Sequence, residues 1–158
     1  MKISNYHPNH RETCIDIFTS NTPAYFGVDE LQGLELWLNG QDAERLAYKN
    51  TEVEHFYVLE DKHNVLACGG FYIVRDSPIA NMTWGMVHNN YHKQGFGKAL
   101  FEYRIEQIKT KYPQHNIVLD TTQHTYAFFE KLGFHVTEIR KDFYAPGLNR
   151  YDMALSTA

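Results

Sequence analysis

The sequence predicts an α/β (α+β) fold in which a mixed sheet carries helices on its faces. Three observations lead there. Apolar residues recur at helical spacing in four windows; they alternate or run continuously in seven others; and the segments follow one another as a helix pair, a run of strands and then β-α-β-α-β-β. At 158 residues the chain is long enough for one domain with a proper core and short for two. With no repeat, low-complexity stretch or linker, it reads as a single domain over 1–158.

Each element has its own warrant. Lys2–Tyr6 reads as a short strand. Pro8 suits a helix first turn, and Cys14, Ile15 and Phe18 give the following helix (to Thr19) one apolar face. Leu31, Leu34 and Leu38 predict a second helix over 28–38. Val53–Glu60, Val65–Arg75 and Ile79–His88 are strand-like, the last entered through Asp76-Ser77-Pro78. Gly69-Gly70 inside the second of these predicts a bulge or a close backbone approach. Phe101, Ile105, Ile108 and Tyr112 predict a helix that opens at Gly95-Phe96-Gly97 and stops at Pro113. Asn116–Asp120 reads as a buried strand, Tyr126–Leu132 as a short helix closed by Gly133, and Phe134–Arg140 and Arg150–Ser156 as two final strands.

Composition excludes several functions. A net charge of −4 argues against a nucleic-acid partner, which calls for a strongly basic face. Eleven Tyr, 10 Phe and 2 Trp supply far more burial than disordered chains carry. No apolar run reaches the roughly 18 residues of a membrane span, and MKISNYHPNH lacks a signal-peptide core, so a cytoplasmic protein with no membrane partner is expected. Cys14 and Cys68 make neither a disulfide framework nor a four-ligand zinc site. His88 and His92 have no third ligand in view, and no metal is expected.

The most informative stretch runs from Trp84 to Leu100, a strand, a loop with glycines at 95 and 97, and a basic helix. Such a loop can aim consecutive backbone N–H groups at one spot where the helix dipole adds roughly half a positive charge, a site for phosphate. His92, Lys93, Gln94 and Lys98 add donors. A P-loop would need Gly at 92 and Ser or Thr at 99, where the chain has His92 and Ala99; a dinucleotide fingerprint would need glycine at 100, where it has Leu100. Two glycines also serve simply as a turn and a cap.

VHNNYHKQGFGKALF resembles the acyl-CoA-binding motif of the GCN5-related N-acetyltransferase (GNAT) family, and FFEKLGF at 128–134 resembles that family's second hallmark. The closing YAPGLNRYDMAL is similar to the last strands of bacterial members. The resemblance implies a mostly antiparallel sheet of about six or seven strands with about four helices, splayed between the strands ending near Val87 and Asp120. It implies acetyl-CoA as co-substrate, with Met86 and Val87 pairing with the pantetheine arm, the segment His92, Lys93, Gln94, Gly95, Phe96, Gly97 and Lys98 holding the pyrophosphate, and Thr122 and Phe129 lining the site. A homodimer is compatible with it.

Two positions depart from the family pattern. Phe129 stands where the usual general acid is Tyr, leaving Tyr126, Tyr144, a water or an unprotonated thiolate in that role. Asn81–Gly85 carries no carboxylate, leaving His124, His88, Asp120 and Glu30 as candidate bases, with the two histidines preferred because imidazole titrates near neutral pH. Each has a plain structural alternative: His88 can shape the loop, His124 can start a helix, Asp120 can cap a turn and Glu30 can sit in a helix first turn. Tyr25 and Phe26 fall where the family builds acceptor pockets. Residues 20–60 hold eight carboxylates against two cations, and 92–111 hold five cations against two carboxylates. That asymmetry suits a cationic amine acceptor, a small molecule or a peptide, and equally an ordinary solvated surface. The expected activity is therefore acetyl-CoA-dependent N-acetyl transfer by direct attack in a ternary complex. The alternatives are an acyl-CoA-binding or sensing module, and an acyltransferase with another donor or acceptor.

Overall fold

The computed structural model describes residues 1–156. Seven strands form one sheet in the order β1-β2-β3-β4-β5-β7-β6. They are β1 (Lys2–Asn5), β2 (Thr51–Asp61), β3 (Asn64–Val74), β4 (Ile79–Val87), β5 (Asn116–Thr121), β6 (Phe134–Ala145) and β7 (Leu148–Leu155). The helices are α1 (Arg11–Ser20), α2 (Leu31–Asp42), α3 (Phe96–Lys111) and α4 (Tyr126–Lys131), with single 3-10 turns leading into α1 and α2. All neighbours pair antiparallel except β4 and β5. A parallel pair cannot close through a hairpin, so α3 supplies the crossover between them.

The sheet separates two cores. Alternation along β2 sends Phe56 and Val58 to the face covered by α1 and α2, where they meet Cys14, Ile17, Phe18, Leu34, Trp37 and Leu38. Tyr57 and Leu59 point the other way, onto Leu100, Phe101 and Ile108 of α3. Burial on both faces explains why β2 and β3 read as near-continuous apolar runs. The expected α1 stripe is shifted, because Ile17 rather than Ile15 is fully buried.

Two departures from expectation have physical causes. β6 runs on past Arg140 to Ala145, although its side chains there are mostly exposed. An ion pair to β7, Arg140–Asp152 at 3.5 Å, supports this charged edge strand, and the charge also guards the open edge. The glycine pair in β3 faces a bulge that lies in β4. Cys68 opposes Met86 and Gly70 opposes Thr83, so Trp84 and Gly85 together face Gly69, with Trp84 at φ 50°. Gly70 is also a close approach, since a Cβ there would lie 2.0 Å from the His55 carbonyl oxygen on β2.

Candidate active site

β4 and β5 are hydrogen-bonded only where Ile79, Ala80 and Asn81 meet Asn116, Ile117 and Val118. Beyond that, β4 pairs only with β3, and β5 only with β7. The sheet is therefore splayed where the family resemblance implied a split, and the bulge at Trp84-Gly85 adds local twist to the diverging strand. A cleft of about 490 Å³ fills the gap, bordered by the loop before α3, the α3 N-terminus, the turn before α2, the start of α4 and Tyr144.

At one end lies the glycine loop. Lys93 (φ 62°) and Gly95 (φ 89°) are both left-handed, and Gly95 is the N-cap of α3 without a side-chain cap. No acidic residue stands in the first turn, so the opening N–H groups of the helix remain unspent beside Lys93 and Lys98. This is a ready anion site. Gly97 lies tight against β4, where a Cβ would come 3.3 Å from Val87 Cγ2. His92 faces inward, its Nε2 donating to the Val87 carbonyl at 2.9 Å. Asn21 Nδ2 donates to the same oxygen at 2.8 Å. The single proton of a neutral His92 ring is thus spent on the strand end rather than offered to a phosphate. Gln94 and Phe96 do not line the cleft; Gln94 turns back toward the Asn90 carbonyl, and Phe96 packs on the α3 core.

At the other end a carboxylate cluster gathers. Glu30 Oε2 accepts from the Gly27 N–H at 2.7 Å. Burial pushes its carboxyl up to about 7, helped by the charge of Asp120 and opposed by that N–H. Tyr144 donates its phenol proton to Asp120 Oδ2. Burial first, then Asp120, hold the phenol well above its ordinary value, so it keeps its proton at neutral pH. Arg150 Nη2 approaches Asp120 Oδ1 at 3.9 Å.

The remaining candidates fall on both sides of the cleft's boundary. Met86, Val87, Thr122, Phe129 and His124 line it. Thr122 is buried, its hydroxyl accepting from the His124 N–H at 3.2 Å. His124 and His92 both meet Tyr25 edge to face, at 5.9 and 5.3 Å. Phe129 packs on Phe101 at 5.1 Å. His88 stands outside, its Nδ1 accepting from the Asn90 N–H at 3.2 Å, and so shapes the loop. Tyr126 is also outside, stacked on Tyr151 at 4.6 Å. Sequence reasoning passed over Asn21 and Arg104, which both line the cleft. Arg104 carried a signal: it lies four residues from Leu100 and from Ile108, in the middle of a buried stripe.

An open mixed sheet split between two parallel strands, with a glycine-capped helix at one end of the split and carboxylates at the other, defines an α/β protein with a ligand cleft at its strand divergence. The chain belongs to the GNAT acetyltransferase family: residues 52–136, from β2 into β6, match the family model described as "Acetyltransferase (GNAT) domain". The fold is similar to that of the ribosomal-protein-S18-alanine N-acetyltransferase from Escherichia coli, with TM-score 0.75, 20% identity, and coverage of 99% of this chain and 95% of that one. It is also similar to ribosomal-protein-alanine N-acetyltransferase from Brucella melitensis, with TM-score 0.75, 14% identity and coverage of 99% and 100%. An aminoglycoside 6'-N-acetyltransferase complexed with coenzyme A gives TM-score 0.71, 16% identity and coverage of 98% and 96%. Curated proteins gave no significant sequence match. Among the described residues no helix is long and apolar enough to cross a membrane, and no group of three or more His, Cys, Asp or Glu side chains is placed to hold a metal ion.

Proposed function

We propose that this chain is an acetyl-CoA-dependent N-acetyltransferase that acts on a primary amine by direct attack in a ternary complex, with residues 1–158 working as a single domain. The observation that carries this reading is the pairing, across one sheet split, of an uncapped glycine-led helix with a half-buried carboxyl held up to about 7. The unspent N–H groups of α3 with Lys93 and Lys98 suit the coenzyme's pyrophosphate. Met86 and Val87 of β4 flank the pantetheine arm opposite Thr122. The Val87 carbonyl is already engaged by Asn21 and His92, so these two side chains fix the strand end rather than bind the coenzyme.

Chemistry then divides between backbone and side chains. An alkylammonium of pKa about 10 must lose its proton, and Glu30 at about 7 narrows that gap by nearly half relative to an ordinary carboxyl. Glu30 takes the proton, directly or through water, and the amine nitrogen attacks the thioester carbonyl carbon. Backbone N–H near Val87 supports the developing oxyanion. The C–S bond then breaks with its electron pair on sulfur, and the attacking nitrogen sheds its second proton to water to leave the neutral amide. Phe129 has no proton to give, and Tyr144 holds its own too firmly, so the thiolate leaves without a side-chain acid. A thiol pKa near 8.5 makes that tolerable. Glu30 and Asp120 replace His88 and Tyr126 as the groups best placed for proton handling, with His124 beside them.

Phe129, where a hydroxyl would be useful, favours a second reading as an acyl-CoA-binding module. CoA-thiol release from acetyl-CoA across a panel of amines, beside calorimetric binding, separates the two. Release with one amine class establishes the transferase; tight binding without any release favours the binding module, and absence of binding removes both.

A further inference from the structure

Arg104 of α3 is 5% exposed, yet it has no carboxylate partner among the described residues. Its protein hydrogen bond runs from Nη1 to the Gly70 carbonyl at 3.0 Å, and Nε is buried with no acceptor. The guanidinium occupies space left by two missing side chains: a Cβ at Gly69 would lie 2.8 Å from Cζ, and one at Gly85 2.6 Å from Nη2. Burial draws it down only to about 10, so it stays a cation at neutral pH. Its cation–π contact is with the Phe101 ring, 5.6 Å from Cζ, and a buried charge with no carboxylate beside it is expensive, so an apolar residue would fill this place at less cost. Arg104 nevertheless lines the cleft, together with Met82, Leu100, Phe101 and Leu119.

Neither end of the cleft described so far matches this cation. The coenzyme's phosphates belong at Gly95–Lys98, and Arg104 lies six residues, roughly 9 Å, beyond Lys98 along the helix. A cationic acceptor belongs at Glu30 and Asp120. What remains is the acyl part of the donor, which enters at the split beside β4. We infer that the chamber ending at Arg104 accepts an acyl group with a short methylene chain and a terminal carboxylate, so that the donor range extends from acetyl to dicarboxylic-acid monothioesters of coenzyme A. The apolar walls take the methylenes, and the Nη2 end of the guanidinium, which has no protein hydrogen bond, takes the carboxylate in a charge-assisted pair. Transfer follows the same balance as with acetyl: the ammonium gives one proton to Glu30 and on to water, the nitrogen then bonds to the thioester carbonyl carbon, and as the C–S bond breaks to leave thiolate the nitrogen sheds its second proton to water to give the neutral amide. The product amide carries a free carboxylate.

The inference rests on a coenzyme A thioester being the donor. Succinyl-CoA and butyryl-CoA have acyl chains of equal length that differ in carboxylate against methyl, and calorimetry with these two and free CoA tests it on the intact protein. Succinyl-CoA is expected to bind at least tenfold more tightly than butyryl-CoA, with the order reversed in Arg104→Met. If that variant does not fold, Arg104→Lys, which keeps the charge without the planar guanidinium, is expected to narrow the preference. Equal binding of the two thioesters by the native protein, or tighter binding of butyryl-CoA, overturns the inference. So does a preference that survives in Arg104→Met. In either case the coenzyme reading stands as long as free CoA binds, whereas failure of all three ligands to bind overturns both.

Discussion

Glu30 answers to two opposed demands, and the opposition is measurable. Burial raises its carboxyl from 4.5 to about 7, so the folded protein prefers it protonated. Its contribution to stability is therefore full below about 4.5 and is lost as pH rises through about 7. As a base it is useful only when ionised, so turnover should climb over the same interval in which that stability fades. Glu30→Gln keeps an oxygen for the Gly27 N–H and removes the titration. It is expected to lower kcat by about 10² to 10⁴ and to abolish the rise near pH 7, without lowering the melting temperature at pH 8. A pH–rate profile beside thermal melts reads both, and a retained rise near pH 7 would assign the base elsewhere, with His124 next in line. Phe129 poses the complementary question. Its ring packs on Phe101 and Phe128 at 5.1 Å each while facing the cleft. Phe129→Tyr is expected to leave CoA affinity within twofold and kcat unchanged or higher; a sharp loss of kcat would mean that the added hydroxyl disturbs the thioester's seat.

The elements around the cleft depend on glycines for different reasons, which their variants should separate. At Gly95 a Cβ would meet nothing within 4 Å, so the constraint is the left-handed backbone alone, worth roughly 1–2 kcal/mol. Gly95→Ala is expected to fold, to melt a few degrees lower, and to lose CoA affinity tenfold or more as the N–H groups turn away. Gly70→Ala would drive a methyl into the His55 carbonyl of the neighbouring strand and should yield little folded protein. Circular dichroism with CoA titration distinguishes a binding defect from a folding one. The order and type of the elements were legible because apolar spacing dictates them, and the glycine loop was legible because its neighbours are local in sequence. What spacing could not convey was direction. Glu30, Asp120 and Tyr144 are 24 or more residues apart and converge only because β5 and the β6–β7 end lie beside the turn before α2. His88 drew notice as an imidazole and Tyr126 as a hydroxyl in place of the one missing at Phe129, yet a local hydrogen bond and the Tyr151 ring turn them away. Arg104 was hidden by an ordinary expectation, since a charge on a helix is usually solvated.

At the scale of the whole molecule, the question is how a cationic amine would be drawn to one end of the cleft. The carboxylate-rich stretch 20–60 suggests a broad acidic field, but the fold withdraws much of it. Asp42 is held by Arg11 and Tyr6, each at 2.7 Å. Glu54 accepts from the backbone of Ala47 and Tyr48 and from the Thr51 hydroxyl, organising the loop after α2. The charge that reaches the cleft is local, from Glu30 and Asp120, with Arg150 offsetting part of it. Attraction from so compact a source fades within a Debye length, about 8 Å at physiological salt, so it acts on an amine already at the mouth more than on distant encounter. Raising salt from about 0.05 to 0.5 M at saturating acetyl-CoA should therefore raise KM for a monocationic amine only a few-fold, leaving kcat nearly constant. A diamine whose second ammonium reaches Asp120 should lose more. Steady-state kinetics on a matched monoamine and diamine decide the matter. Loss of more than tenfold for both would restore long-range steering by the acidic half, whereas indifference of both to salt would place recognition in Tyr25, Phe26 and the apolar wall.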